Sequence, residues 1–189
     1  MKLLRKLLLL GCGGLLLLVI GGTSLLLPSS WQVSVEQTSL HSAAQLYPLI
    51  ADFHRWHQWI GWDDQEYGER TIQIEGTAAS SGHSYRWSSH SSHGSLTLDR
   101  CLPERGIWYQ GAIESEQINA SGSITLEPLP GGGTLITWKD RGDLPPGTGL
   151  PALWMSSKRS AKFAEDLHRL HDIDLSRPAP DAEKPKRRP

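Results

Sequence analysis

Histidine is the first residue type in this chain with the capacity for chemistry. His83, His90 and His93 fall around one predicted strand pair, and His54 and His57 stand three apart. Zinc needs three or four converging ligands. Neither set has a cysteine or carboxylate pattern to complete a shell, and no metal centre is expected. His90 and His93, in a serine-rich turn, read as solvated polarity, and His168 and His171 suit the negative end of a helix dipole. Nucleophilic chemistry finds no Gly-x-Ser-x-Gly turn, and Cys101 reads as a small buried apolar residue. Asp63 and Asp64 are sequence neighbours, a weak basis for an acid–base pair. Gly131, Gly132 and Gly133 lack the Lys-Ser/Thr that follows a phosphate loop. No catalytic residue is assigned and no cofactor is expected.

Tryptophan is the second candidate type. All eight lie beyond residue 30, with only two phenylalanines beside them. Trp56, Trp59 and Trp62 either anchor a short helix and close a turn, or rim the mouth of a cavity. Tyr85 and Trp87 share one strand face, as do Ile136 and Trp138. In a solid fold these are core; in a hollow one, core face and cavity wall are the same surface.

The elements that must position them alternate in period. Trp31 to Leu40 alternates as a half-buried strand. His41 to Ala51 has helical spacing, with Pro48 kinking it or delaying its start, and Asp52 to Trp59 suits a second short helix. Six period-two segments follow: Thr71 to Glu75, Ser84 to Ser89, Ser95 to Cys101, Gly106 to Ile113, Ser121 to Glu127 and Thr134 to Lys139. Gly-, Ser- and Pro-rich turns separate them, which predicts an antiparallel meander. From about Ala152 to Asp172 an amphipathic helix carries Phe163, Leu167 and Leu170 on one face. A sheet this wide twists and curls, and the long helix must cover its apolar face. An apolar pocket between them is the expected consequence, with Phe163 and Leu167 on its helix side.

Ahead of the domain, Leu7 to Leu27 is free of charge and long enough for a helix to cross about 30 Å of hydrocarbon. Lys2, Arg5 and Lys6 precede it and no charge follows until Glu36, so the N-terminus is expected in the cytoplasm and the domain outside, in the periplasm or cell exterior. Two rivals stay open. A cleaved signal peptide would use Gly22-Thr23-Ser24, although leucines continue past it; a lipoprotein signal would use Leu9 to Cys12, although the apolar run before Cys12 is short.

The organisation read from this is a stub and anchor over 1–28, one domain over 29–175 and a tail over 176–189. About 145 residues between anchor and tail suffice for a single core. The tail is rich in Pro and charge, and disorder is expected there. A net charge of −1 excludes a nucleic-acid partner from the expectations. Cys12 lies in the membrane run, so no disulfide can form within the domain.

The order strand, two helices, six strands, long helix resembles the START-like, or Bet v 1-like, superfamily with its helix-grip fold. More closely, the chain resembles the bacterial membrane-anchored polyketide cyclase/dehydrase-like (SRPBCC) proteins over about residues 1–172. Leu49 to Phe53, Trp56 to Asp63, Tyr85 to Trp87, Gly94 to Leu96, Gly133 to Trp138 and the Phe163-to-Leu167 spacing carry it. Ile60-Gly61 stands where the family has Ser-Pro, and the glycine-rich approach to the third strand is mostly serine here, with Gly82 retained. The resemblance implies an α+β fold: a curved seven-stranded antiparallel sheet around a long C-terminal helix, two short helices after strand 1 and one N-terminal transmembrane helix. It further implies an apolar cavity walled by Trp59, Trp62, Tyr85, Trp87, Ile136, Trp138, Phe163 and Leu167. The expected function is to bind or transport an apolar lipid- or isoprenoid-like molecule near the membrane. The alternative is a cyclase/aromatase-type enzyme. An all-apolar cavity would favour binding; an inward polar pair at hydrogen-bond distance would favour chemistry.

Overall fold

The computed structural model describes residues 2–61, 70–90, 92–113 and 118–175; for residues 2–5, 7–10 and 16 it describes backbone alone. Trp62, Asp63, Asp64 and the tail lie outside the described residues.

Helix α1 spans Lys2–Leu26. Among the described residues, no helix is long and apolar enough to cross a membrane. The end of α1 is tied to the domain: Ser24 Oγ donates to the Gly147 carbonyl at 2.6 Å.

Strand β1 (Ser30–Ser39) follows, then α2 (Ala43–Ile50). Ser42 and Gln45 form a reciprocal capping box, which starts this helix after His41. Pro48 sits within it. The second short helix expected from Asp52 to Trp59 is a 3₁₀ helix over Phe53–Gln58, capped by Asp52. The sheet continues with β2 (Thr71–Glu75), β3 (Ser84–Ser88), β4 (His93–Leu102), β5 (Gly106–Ile113), β6 (Ile118–Pro128) and β7 (Thr134–Asp143). The long helix, α3, spans Gly149–His171.

All seven strands form one antiparallel sheet in the order β1-β7-β6-β5-β4-β3-β2. Successive hairpins build β2 to β7, and β1 closes beside β7. Strands β4, β6 and β7 run longer than their alternation suggested, because backbone pairing continues past it, to Gly94 and Leu102 in β4, from Ile118 in β6 and through Asp140 to Asp143 in β7. A register shift between Leu98 and Arg100 places one extra residue in β4 and brings Cys101 opposite Ile107.

One sheet face carries the core. Along β7, Thr134, Ile136, Trp138 and Asp140 are buried in strict alternation. Pairing sets a row across the sheet of Val35, Trp138, Ile124 and Ile107, all in or against the core. Helix α3 covers this face with Phe163, Leu167 and Leu170, while α2 adds Leu46, Leu49 and Ile50.

Candidate functional site

The inner face divides into a packed half, a polar centre and a half-open end. The packed half begins with the short helices. The last carbonyls of a helix have no partner within it. Here Trp56 Nε1 donates to Ile50 O at 2.9 Å and Trp59 Nε1 to Leu49 O at 3.1 Å. Both indoles are thereby held under the sheet, with ring centroids 6.4 and 5.7 Å from Trp138. Phe163 stacks on the other side of Trp138. Of the expected cavity residues, Trp59, Trp138, Phe163, Ile136 and Leu167 all belong to this buried cluster. Tyr85 is buried further along the sheet, and Trp87 is half-buried beside it with ring centroids 6.2 Å apart.

The polar centre was not foreseen. Asp140 is buried, and its Oδ1 accepts from Trp31 Nε1 at 2.6 Å while its Oδ2 accepts from the Tyr109 hydroxyl at 2.9 Å. The Tyr109 oxygen in turn accepts from Trp138 Nε1 at 2.9 Å. From α3, Arg159 brings Nη1 to 3.3 Å from Asp140 Oδ1 and lays its guanidinium 4.7 Å from the Trp31 ring centroid. Burial, and secondarily the Asp140 carboxylate, push the Tyr109 phenol well above its ordinary value. Two glycines make this possible. Gly122 faces Tyr109 across β5 and β6, and a Cβ there would lie 2.3 Å from the phenol oxygen; at Gly142, opposite Trp31, it would lie 2.2 Å from the indole. The rings lie in the space a side chain would have taken. The signal for Asp140 was present: it continues the inward alternation of Ile136 and Trp138, and a carboxylate at a core position demands partners.

The half-open end is the row next to the β1 start, where pairing aligns Ile118, Ile113, Gly94, Trp87 and Ile72. Ile113, Trp87 and Ile118 are only partly covered and Ile72 is exposed. Trp87 lies over Gly94, whose added Cβ would sit 2.4 Å from the indole. Ile74, Leu96 and Tyr85 form the next row inward. Two hollows are lined mainly by outward residues: one of about 350 Å³ by Arg86 and Ser95, together with Trp87 and Gly94 of this row, and one of about 490 Å³ by Trp108 and Lys139, together with Tyr109 and Asp140; α3 lines neither.

Asp52, His54 and His83 cluster closely enough to suggest a metal shell. Their hydrogen bonds describe a cap instead. The His83 ring accepts the Phe53 N–H at Nε2 (3.0 Å) and has Nδ1 at 3.0 Å from Glu75 O, so both nitrogens are used. Asp52 Oδ1 accepts the His54 N–H at the start of the 3₁₀ helix. A metal would have to displace the bond that buries Phe53 N–H.

Gly61, at the departure from Ser-Pro, also has a physical reason. Its N–H donates to Asp166 Oδ1 at 2.9 Å, which a proline could not do. Asp166 is buried and also receives Lys162 and Arg169, and burial raises its pKa against the pull of these donors.

No protein-family model matches this chain, and neither does any curated protein. Solved structures do. A protein described as a putative protein in the dynemicin biosynthetic locus, DynU16, aligns with TM-score 0.52 and 15% identity over 74% of this chain; the alignment spans only 45% of DynU16. Protein CV1439 from Chromobacterium violaceum aligns with TM-score 0.56 and 12% identity over 76% of this chain and 98% of its own. The Aha1 dimer from Colwellia psychrerythraea gives 0.53 and 15% over 75% and 93%. At such identities the likeness is one of fold, and the chain shares the helix-grip architecture of these neighbours.

Proposed function

We propose that this chain is a membrane-tethered member of the polyketide cyclase/dehydrase-like proteins that holds an apolar, lipid- or isoprenoid-like molecule. The binding surface in this reading is the half-open row of Ile72, Trp87, Ile113 and Ile118, with Tyr85 beside it. Trp59, Ile136, Trp138, Phe163 and Leu167 fill the packed half of the same face, on the far side of the Tyr109–Asp140 centre. The carrying observation is that, among the described residues, the partly covered and exposed apolar side chains Ile72, Trp87, Ile113 and Ile118 line up at one end of the inner sheet face, while the residues packed under α2 and α3 are buried. Exposed apolar surface in contiguous rows marks binding sites. The tether in this reading is the uncharged run from Leu7 to Leu27, which leaves α1 at Leu26 and whose residue count, taken from the sequence, matches a bilayer crossing. The charge bias of Lys2, Arg5 and Lys6 supports a domain in the periplasm or cell exterior, where protease added outside the inner membrane would digest it.

The enzyme reading draws on the inward pair Tyr109–Asp140. General acid–base catalysis requires such a group to reach substrate. Here Asp140 Oδ1 is already engaged by Trp31 and Arg159, its Oδ2 by the Tyr109 hydroxyl, and the phenol oxygen by Trp138, and both residues are buried. Binding is therefore the better-supported role.

The test is titration of the full chain in lipid nanodiscs with fatty acids, isoprenoid quinones and a fluorescent apolar probe. Binding should change tryptophan fluorescence and stabilise the fold by about 2.7 kcal/mol at a hundredfold excess over Kd. Trp87→Ala should weaken it. Absence of binding by every apolar compound, or an unaffected Trp87→Ala variant, overturns the reading.

A further inference from the structure

The half-open row and the end of α1 lie at the same end of the sheet. Ile118 immediately precedes Asn119, which pairs with Asp143, itself the partner of Ser30 at the start of β1. Leu27 and Ser29 connect α1 to that strand, and both are fastened: Leu27 packs on Gly149, Ser29 O accepts the Leu144 N–H and Ser29 Oγ the Thr148 N–H. Ser24 Oγ also lies 3.4 Å from the Leu150 N–H. Helix α3 thus begins against the last turn of α1.

The first turns of α3 are apolar on the side turned from the sheet. Leu153 is 58% exposed and Trp154 65%. They lie four and five residues past Gly149, about 6 to 7.5 Å along the axis. Leu25 and Leu26, at the end of α1, are more exposed still. One turn beyond Trp154, Lys158 reaches back to within 5.5 Å of its ring centroid. An exposed indole followed by a lysine, one turn above the end of an apolar helix, has the order found at a membrane interface: aromatic ring among headgroups, ammonium toward phosphate and water. Outside α1, the large exposed apolar residues among those described are Leu40, Ile72, Leu102, Leu153 and Trp154. Leu153 and Trp154 are beside the end of α1, and Ile72, although on the opposite edge strand, closes the row at that same end of the strands.

We infer that the first turns of α3, carrying Leu153, Trp154 and Lys158, sit in the headgroup layer of the membrane that α1 enters, so that the half-open row faces the bilayer and exchanges its ligand with it directly. This rests on the reading of α1 as a membrane anchor. The occupant of the Leu153–Trp154 patch is the lipid surface. The rigid junction holds that patch within about one helical turn of the end of α1, and Lys158 complements anionic headgroups.

The full chain is reconstituted into phosphatidylcholine–phosphatidylglycerol vesicles whose acyl chains carry bromine close to the headgroups. Trp154 should supply the largest single share of the quenched tryptophan fluorescence, so Trp154→Phe loses most of the quenching while its circular dichroism is unchanged. Lys158→Glu should reduce quenching in vesicles rich in phosphatidylglycerol and leave it intact in pure phosphatidylcholine. Flotation after alkaline extraction separates the two ideas. A chain that fails to float overturns the anchor and this inference with it. A chain that floats but keeps its full quenching in Trp154→Phe overturns this inference alone.

Discussion

The indole of Trp138 lies flat on the ring of Phe163, with centroids 3.8 Å apart and planes 4° from parallel. That contact joins α3 to β7, the second strand from the β1 edge of the sheet. One turn further along α3, Leu167 is fully buried. Both rings were expected on the wall of a pocket; here they stack on each other, and the partly uncovered apolar side chains Trp87, Ile113 and Ile118 lie toward the end of the strands where β1 starts.

Phe163→Ala should remove the ring that closes this joint. A large-to-small change at a buried aromatic costs about 3 to 5 kcal/mol, because transfer energy and a cavity penalty add. Chemical denaturation should show a lower midpoint with an unchanged slope. A variant within about 0.5 kcal/mol of wild type would mean that the stack does not hold α3 in place.

Tyr109→Phe should leave one Asp140 oxygen and Trp138 Nε1 short of a partner, costing about 1 to 3 kcal/mol at neutral pH. The pH dependence has a definite sign. In the unfolded chain the phenol releases its proton near pH 10, whereas in the fold burial holds it on well beyond. The folded state then binds more protons, so stability is intact below about pH 10 and falls as pH rises above it. Tyr85 is shifted in the same direction, mainly by burial. Unfolding followed against pH should therefore steepen above about pH 10, and less so in Tyr109→Phe.

His83→Leu should strand the Phe53 N–H and the Glu75 carbonyl, again at about 1 to 3 kcal/mol. Added zinc should not raise the wild-type melting temperature, because both ring nitrogens are already engaged. A melting temperature that climbs with zinc and drops with chelator would make Asp52, His54 and His83 a metal site after all.

Truncation after Leu175 should change the melting temperature little. The removed stretch is Pro- and charge-rich and has almost no apolar side chain to bury. A fall of many degrees would show that it docks on the domain.

The strand-and-helix order was legible because each element carries a local signature. Period-two alternation separated by Gly- and Ser-rich turns announced six successive strands, and β2 and β5 begin and end where the alternation does. The 3.6-residue spacing of Phe163, Leu167 and Leu170 announced α3 and its buried face. The two short helices were visible, but their type was not, since a 3₁₀ turn at Phe53–Gln58 is decided by Asp52 at its start and by indoles reaching back to α2. The departure at Gly61 was visible as a departure, and its reason, a bond to Asp166 on α3, was not.

The division of the inner face into packed, polar and open parts came only with tertiary structure. Local pattern assigns a residue to a face, but strand register decides what stands opposite it. Tyr109 and Gly122, or Trp31 and Gly142, are unrelated in sequence until pairing sets them side by side, and only then is there room for a ring to lie flat and reach Asp140. Arg159 reads as one charge among several on α3, and becomes a partner of Asp140 only when the helix is laid on the sheet. Chain chemistry by itself determined which residues are apolar and which way they alternate. Whether those residues fill the interior or leave part of it open depends on volumes matched between strands and helix far apart along the chain, which no local pattern encodes.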